Sequence, residues 1–142
     1  MKVLLVDDEP FILQGLSVLI DWAAEGCEIV KMASNGKEAL LYLEDHEADL
    51  VITDIKMPVM SGLELLEQIR GRQISDAFFI ILSGYNDFSY AQKAIRYACM
   101  DYLVKPVQKE ALLELIRKAK SSLAVTEQNA ENERRMQEMQ LK

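Results

Sequence analysis

Five short apolar runs punctuate the chain, and segments with helical spacing separate them. Val3–Val6, Leu50–Ile52, Phe78–Leu82 and Tyr102–Val104 are each too short for a helix and rich in branched residues; a weaker run from Cys27 to Ala33 contains Ile29 and Val30. They read as strands. The intervening segments place apolar residues at Ile12, Leu16 and Leu19, then Ala39, Leu40 and Leu43, then Leu63, Leu66 and Ile69, then Tyr90, Ala94 and Tyr97. These spacings predict amphipathic helices. The entries have their own chemistry: Pro10 suits a first helical position, Asn35-Gly36 a helix start, and Ser61-Gly62 precedes the third helix. Continuous apolar strands alternating with helices require a parallel sheet covered on both faces, because right-handed crossovers lay helices over each face. The expectation is a doubly wound α/β fold with five parallel strands.

The last helical segment begins near Gln108, with apolar residues at Leu112, Ile116, Ala119 and Leu123 in alternating steps of four and three. That seam is expected to act as a heptad-like pairing surface. Beyond Leu123 it decays through Thr126, Ala130, Glu133 and Gln137, and the composition turns to Glu, Gln, Asn and Arg. The expected organisation is one domain over 1–123, followed by a polar helical linker over 124–142.

With 142 residues, half of them hydrophobic, the chain can bury a full core. Its 23 acidic residues against 16 basic ones give a net charge of −7, which disfavours contact of this segment with nucleic acid or anionic lipid. Cys27 and Cys99 lie far apart without metal-ligand spacing and read as reduced, buried thiols. No apolar run reaches the length of a membrane span or a signal peptide, so a cytoplasmic protein without membrane contact is expected.

In an open parallel sheet, ligands bind beyond the carboxyl ends of the strands. The residues there are Asp7-Asp8-Glu9, Thr53-Asp54, Ser83-Gly84 and Lys105-Pro106. Grouping Asp7, Asp8 and Asp54 is costly, since two carboxylates about 4 Å apart repel by roughly 4 kcal/mol at an effective dielectric of 20. A hard divalent cation such as Mg²⁺ offsets that while leaving positions free for phosphate oxygens. Lys105 adds a second positive charge, Ser83 a hydroxyl donor, and Gly84 room for a backbone N–H. The set suits phosphoryl transfer, in which positioning and charge neutralisation do most of the work, with Asp54 as nucleophile. Taken singly, each residue has a plainer reading. Asp7 or Asp8 could cap the first helix, Asp54 or Ser83 could be a turn residue, and Lys105 a solvated charge. Their joint placement at successive strand ends is what the plainer readings leave unexplained. His46, within Glu44-Asp45-His46-Glu47, reads as a solvated helix end.

Val6-Asp7-Asp8-Glu9-Pro10, Thr53-Asp54-Ile55-Lys56-Met57-Pro58 with Gly62, Leu82-Ser83-Gly84 and Asp101-Tyr102-Leu103-Val104-Lys105-Pro106 together resemble the response-regulator receiver domain of two-component systems, over Lys2 to about Leu123. The resemblance implies a flavodoxin-like fold and phosphorylation of Asp54 by a partner sensor histidine kinase. It also implies a metal site in which Asp8 ligates Mg²⁺ directly, Asp7 through water, and Asp54 and the backbone carbonyl of Lys56 complete the protein ligands. Lys105 would pair with the phosphoryl group, Ser83 would hydrogen-bond to it, Tyr102 would change rotamer, and Lys105-Pro106 would be cis. Such a domain is a signalling module rather than an enzyme. Trp22, Leu82-Ser83-Gly84-Tyr85-Asn86-Asp87-Phe88 and Tyr90-Ala91-Gln92-Lys93-Ala94 look like receivers joined to AraC-type DNA-binding domains, which implies DNA contact through an output domain outside this segment; Ser83, Tyr102 and the heptad-like final helix, all in one half of the sheet, lead to the expectation of homodimerisation on phosphorylation. Ala98 departs from the glycine usual in such receivers as the fourth helix ends. Two other chemistries compete on such a sheet. Flavin mononucleotide binding would want a neutral phosphate loop, where this chain has Asp7-Asp8-Glu9. A haloacid-dehalogenase-type phosphotransferase would want an acid two residues after the nucleophile, where this chain has Lys56. A receiver-like module that has lost phosphorylation is a third reading, although every motif residue is present.

Overall fold

Alternate residues of each strand go to opposite faces of one sheet, and among the described residues each face is covered by two helices. The structure is a computed structural model, and it describes residues 1–84, 92 and 99–140. Its strands are β1 (Lys2–Val6), β2 (Glu28–Ala33), β3 (Leu50–Asp54), β4 (Phe78–Ser83) and β5 (Asp101–Val104). Its helices are α1 (Pro10–Leu19), α2 (Gly36–Asp45), α3 (Gly62–Gly71) and the long terminal helix α4 (Lys109–Gln140). The strands pair in parallel in the order β2-β1-β3-β4-β5, the doubly wound arrangement expected. The helical spacing at Tyr90, Ala94 and Tyr97, the phrase Tyr85 to Phe88 and the departure at Ala98 lie outside the described residues.

Val3, Leu5, Leu50, Ile52, Ile80 and Leu82 point to one face and pack with Leu13 and Leu16 of α1, Trp22, and Leu112, Ile116 and Ala119 of α4. Leu4, Val6, Val51, Phe79 and Ile81 point to the other and pack with Leu40 and Leu43 of α2 and Leu65, Leu66 and Ile69 of α3. The central strands are buried on both faces, so their sequences carry no polar alternation. Among the described residues β5 pairs only with β4, at the end of the sheet; there Leu103 is buried while Tyr102 and Val104 are exposed.

The helix starts follow their local chemistry. Pro10 occupies the first turn of α1. The side chains of Asn35 and Ser61 cap α2 and α3 by accepting from the N–H groups of Glu38 and Glu64, at 2.9 and 3.1 Å. His46 ends α2 and stacks on Tyr42, in keeping with a solvated helix end. Cys27 is buried and Cys99 only partly so; both are free thiols.

The structure corrects the expected pairing seam. Leu112, Ile116 and Ala119 are fully buried in the domain's own core, so the step of four and three marks the stripe by which α4 docks on the sheet. Intramolecular docking and helix pairing share this period over two or three turns, and the sequence cannot separate them. α4 runs unbroken past Leu123 to Gln140, and residues 124–136 are almost all exposed. Among the described residues, no helix is long and apolar enough to cross a membrane.

Candidate functional site

Parallel pairing brings the expected residues together at one edge. Asp54 is the last residue of β3 and pairs with Leu82, so Ser83 lies one residue further along the neighbouring strand. Ser83 in turn pairs with Val104, and its carbonyl accepts from the backbone N–H of Lys105 at 2.7 Å. Asp7 follows β1 directly, and its N–H donates to the carbonyl of Ala33 at the end of β2. Asp7, Asp54 and Ser83 are buried, Lys105 is partly buried and Asp8 is exposed.

Lys105 Nζ lies 3.2 Å from Asp7 Oδ2 and 3.2 Å from Asp54 Oδ1, bridging two strand ends. Asp54 Oδ1 also accepts from the N–H of Ile55 at 2.9 Å. Each carboxylate of Asp7, Asp8 and Asp54 offers an oxygen within 4.8 Å of the others. One ammonium does not neutralise this cluster. Burial, followed by repulsion from Asp7, raises the Asp54 pKa above the ordinary carboxylate value in spite of Lys105. Burial likewise raises that of Asp7. On Lys105, burial acts downward, but attraction to Asp54 and Asp7 outweighs it and the ammonium is held more firmly than usual. The pocket is therefore short of positive charge, and its all-oxygen donors suit a hard cation.

The capping role open to Asp7 and Asp8 is not the one seen. The N-cap of α1 is Glu9, whose side chain makes no capping bond; Asp7 Oδ1 instead accepts from the Glu9 N–H at 2.9 Å, shaping the turn that presents Asp8. Tyr102 pairs with Ile81, two residues before Ser83 on β4, and is 37% exposed. The Lys105-Pro106 peptide is cis.

Some supporting residues were not legible as such. Gly62, at the start of α3, lies against the backbone of Asp54 and donates its N–H to the carbonyl of Ile55 at 2.8 Å. Thr53 Oγ1 donates to the carbonyl of Asp54 at 2.9 Å. Gly36, at the start of α2, donates to the carbonyl of Met60 at 3.0 Å, tying the loop after β3 to the neighbouring helix. In that loop Val59 has a φ of 68°, a left-handed conformation unfavourable to a β-branched residue. The Gly62 signal was present in the sequence, but its contact with Asp54 depends on how the loop folds back.

A doubly wound sheet with an acidic pocket at its carboxyl edge, and a lysine from just beyond β5 reaching into that pocket, defines a class of α/β folds with an oxygen-lined cation site at the sheet edge. Residues 3–117 match the family described as response regulator receiver domain, and the chain belongs to that family. The transcriptional regulatory protein HptR of Staphylococcus aureus (strain N315) is 42% identical over 115 residues, covering 81% of this chain and 44% of that protein. Among solved structures, the REC domain of AraT, a response regulator from Geobacillus stearothermophilus, superposes with a TM-score of 0.82 at 39% identity, covering 89% of this chain and 97% of that one. A two component transcriptional regulator AraC from Clostridium phytofermentans ISDg gives a TM-score of 0.78 at 28% identity, covering 87% and 95% of the two chains. The chain spans less than half the length of the curated relatives it matches.

Proposed function

We propose that Asp54 accepts a phosphoryl group from a phosphohistidine on a partner sensor histidine kinase, with Mg²⁺ as the required cation. The observation that carries this is the bridge of Lys105 Nζ to both Asp54 and Asp7, 3.2 Å from each, beside a third carboxylate. Oδ1 of Asp54 is held by Lys105 and the Ile55 N–H, which leaves Oδ2 as the attacking oxygen. Mg²⁺ would be held by Asp8, Asp54 and the carbonyl of Lys56, with Asp7 acting through water. Its charge would relieve the repulsion among the carboxylates and neutralise the incoming phosphoryl oxygens. Lys105 would then move its charge to a phosphoryl oxygen, and the Ser83 hydroxyl would donate to another.

The same reading makes the domain a switch rather than a turnover enzyme: it phosphorylates itself from a donor and loses the group by its own hydrolysis. Drawing Ser83 inward opens space that the Tyr102 ring fills, and the surface around β5 changes. One or two charge-assisted hydrogen bonds made in only one arrangement supply a few kcal/mol, enough to shift a two-state population. The altered surface favours a homodimer, and the output is an AraC-type DNA-binding domain joined through residues 124–142, beyond the receiver domain at 1–123. The relatives' description as transcriptional regulators supports this output, as does the AraC neighbour. The setting is the cytoplasm.

The test is mass spectrometry after incubation with a small phosphodonor and Mg²⁺. One added phosphoryl group is expected on the natural chain and none on Asp54→Asn; undiminished labelling of that variant would refute the assignment.

A further inference from the structure

Thr53 is a fully buried polar residue, one position before Asp54 on β3. It pairs with Val6 on one side and Ile81 on the other, so its side chain points with theirs toward α2 and α3. A buried hydroxyl needs a hydrogen-bond partner, and Thr53 finds one in the backbone of its neighbour: Oγ1 donates to the carbonyl oxygen of Asp54 at 2.9 Å. The start of α3 closes over this pair, where a Cβ on Gly62 would stand 2.0 Å from the Asp54 oxygen and 3.1 Å from Thr53 Oγ1. A trans peptide unit is planar, and its C=O and N–H point opposite ways. Fixing the carbonyl of Asp54 therefore aims the N–H of Ile55. That N–H donates to Asp54 Oδ1 at 2.9 Å, the same oxygen that Lys105 Nζ approaches at 3.2 Å. The next carbonyl along, that of Ile55, is held by the Gly62 N–H at 2.8 Å.

We infer that Thr53 is a positioning residue for phosphoryl transfer to Asp54. Its hydroxyl acts through the Asp54–Ile55 peptide to fix the rotation of the Asp54 carboxylate, keeping Oδ1 with Ile55 and Lys105 and leaving Oδ2 for attack. The inference rests on the reading of Asp54 as phosphoacceptor. Without the hydroxyl, the Asp54 carbonyl loses a partner beneath the start of α3, the peptide plane tilts, and the Ile55 N–H loses its aim. The carboxylate then samples orientations in which neither oxygen is held, and transfer slows because in-line attack demands one oxygen in one direction. A plainer account makes the bond only the means by which a buried hydroxyl is satisfied. On that account the hydroxyl affects stability, and the folded protein takes up the phosphoryl group at its usual rate.

Two substitutions in the whole chain separate hydroxyl from shape. Thr53→Val keeps the shape and drops the hydroxyl, whereas Thr53→Ser keeps the hydroxyl and drops a methyl group. With acetyl phosphate and Mg²⁺, Thr53→Val should be labelled about fivefold more slowly, the factor that one ordinary hydrogen bond is worth. Thr53→Ser should be labelled at close to the natural rate although it melts lower, because it leaves a small cavity. Thr53→Cys, whose thiol is a weak donor, should fall between them, and its comparison with Thr53→Ser decides the matter if Thr53→Val does not fold. Nuclear magnetic resonance without donor or metal gives a reading independent of labelling. The Ile55 amide proton, bonded to a carboxylate, should lie at low field in the natural chain and in Thr53→Ser, and lose that position in Thr53→Val. Natural-rate labelling of folded Thr53→Val overturns the inference, as does an Ile55 amide that keeps its position there. Thr53→Ser labelled as slowly as Thr53→Val also overturns it, since packing would then set the rate. Each of these results leaves Asp54 as acceptor; a natural chain that takes up no phosphoryl group removes that reading and the role of Thr53 with it.

Discussion

A Cβ built on Gly62 would stand 2.0 Å from the carbonyl oxygen of Asp54. No side chain fits there without moving the end of β3, so α3 can begin where it does only with glycine at that position. Gly62→Ala is expected to destabilise the domain by about 1–3 kcal/mol, the usual range for forced overpacking. It should also slow phosphoryl labelling of Asp54, because the displaced backbone carries the proposed acceptor. Chemical denaturation together with labelling rates checks both; a stable variant with normal labelling would show that the loop yields freely.

Asp54 and Asp7 hold their protons to higher pH than ordinary carboxylates, first because they are buried. An unfolded carboxyl ionises near about pH 4. Above that the folded chain binds more protons than the unfolded one, so the stability these groups contribute in acid is lost as pH rises through their folded pKa values. Without divalent cation, Asp54→Asn should therefore be more stable than the natural chain at neutral pH by about 1 kcal/mol, and the gap should close toward about pH 4. Denaturant midpoints at the two pH values measure it. A gap that widens in acid contradicts the expected sign.

In the proposed site Lys105 would compete with the metal for the carboxylates of Asp7 and Asp54, 3.2 Å from each. Lys105→Met should tighten Mg²⁺ binding several-fold, since one fewer ammonium screens Asp7 and Asp54, while abolishing most phosphoryl labelling. Calorimetric titration and mass spectrometry separate the two effects. Weaker Mg²⁺ binding in this variant would mean that Lys105 chiefly organises the pocket.

Ile116 is fully buried against the sheet. Ile116→Ala should cost about 2–5 kcal/mol through the cavity it leaves. The monomer–dimer equilibrium of the folded protein should stay unchanged, and sedimentation below the unfolding transition checks this. A change in association without loss of stability would return this stripe to the role first read from its spacing.

The sheet was legible because its strands are buried on both faces, so that Leu50–Ile52 and Phe78–Leu82 stand out as unbroken apolar runs. The site was legible because a parallel sheet sends every strand's carboxyl end to one edge, and Asp7, Asp54, Ser83 and Lys105 sit at those ends. What escaped depends on folding at a distance. The contact of Gly62 with Asp54 arises where a loop doubles back, and the left-handed Val59 breaks its residue type's preference. The stripe at Leu112, Ile116 and Ala119 was misassigned because a helix shows the same period to its own sheet as to a partner.

Trp22 is the chain's one tryptophan. It is buried, and its indole N–H donates to the carbonyl of Leu16 at 3.0 Å. It packs in the layer formed with α1 and α4, while α2 and α3 belong to the layer across the sheet. Its fluorescence is thus a built-in optical gauge of one half of the molecule. If the α4 layer loosens before the α2–α3 layer under denaturant, emission will shift ahead of the far-ultraviolet dichroism.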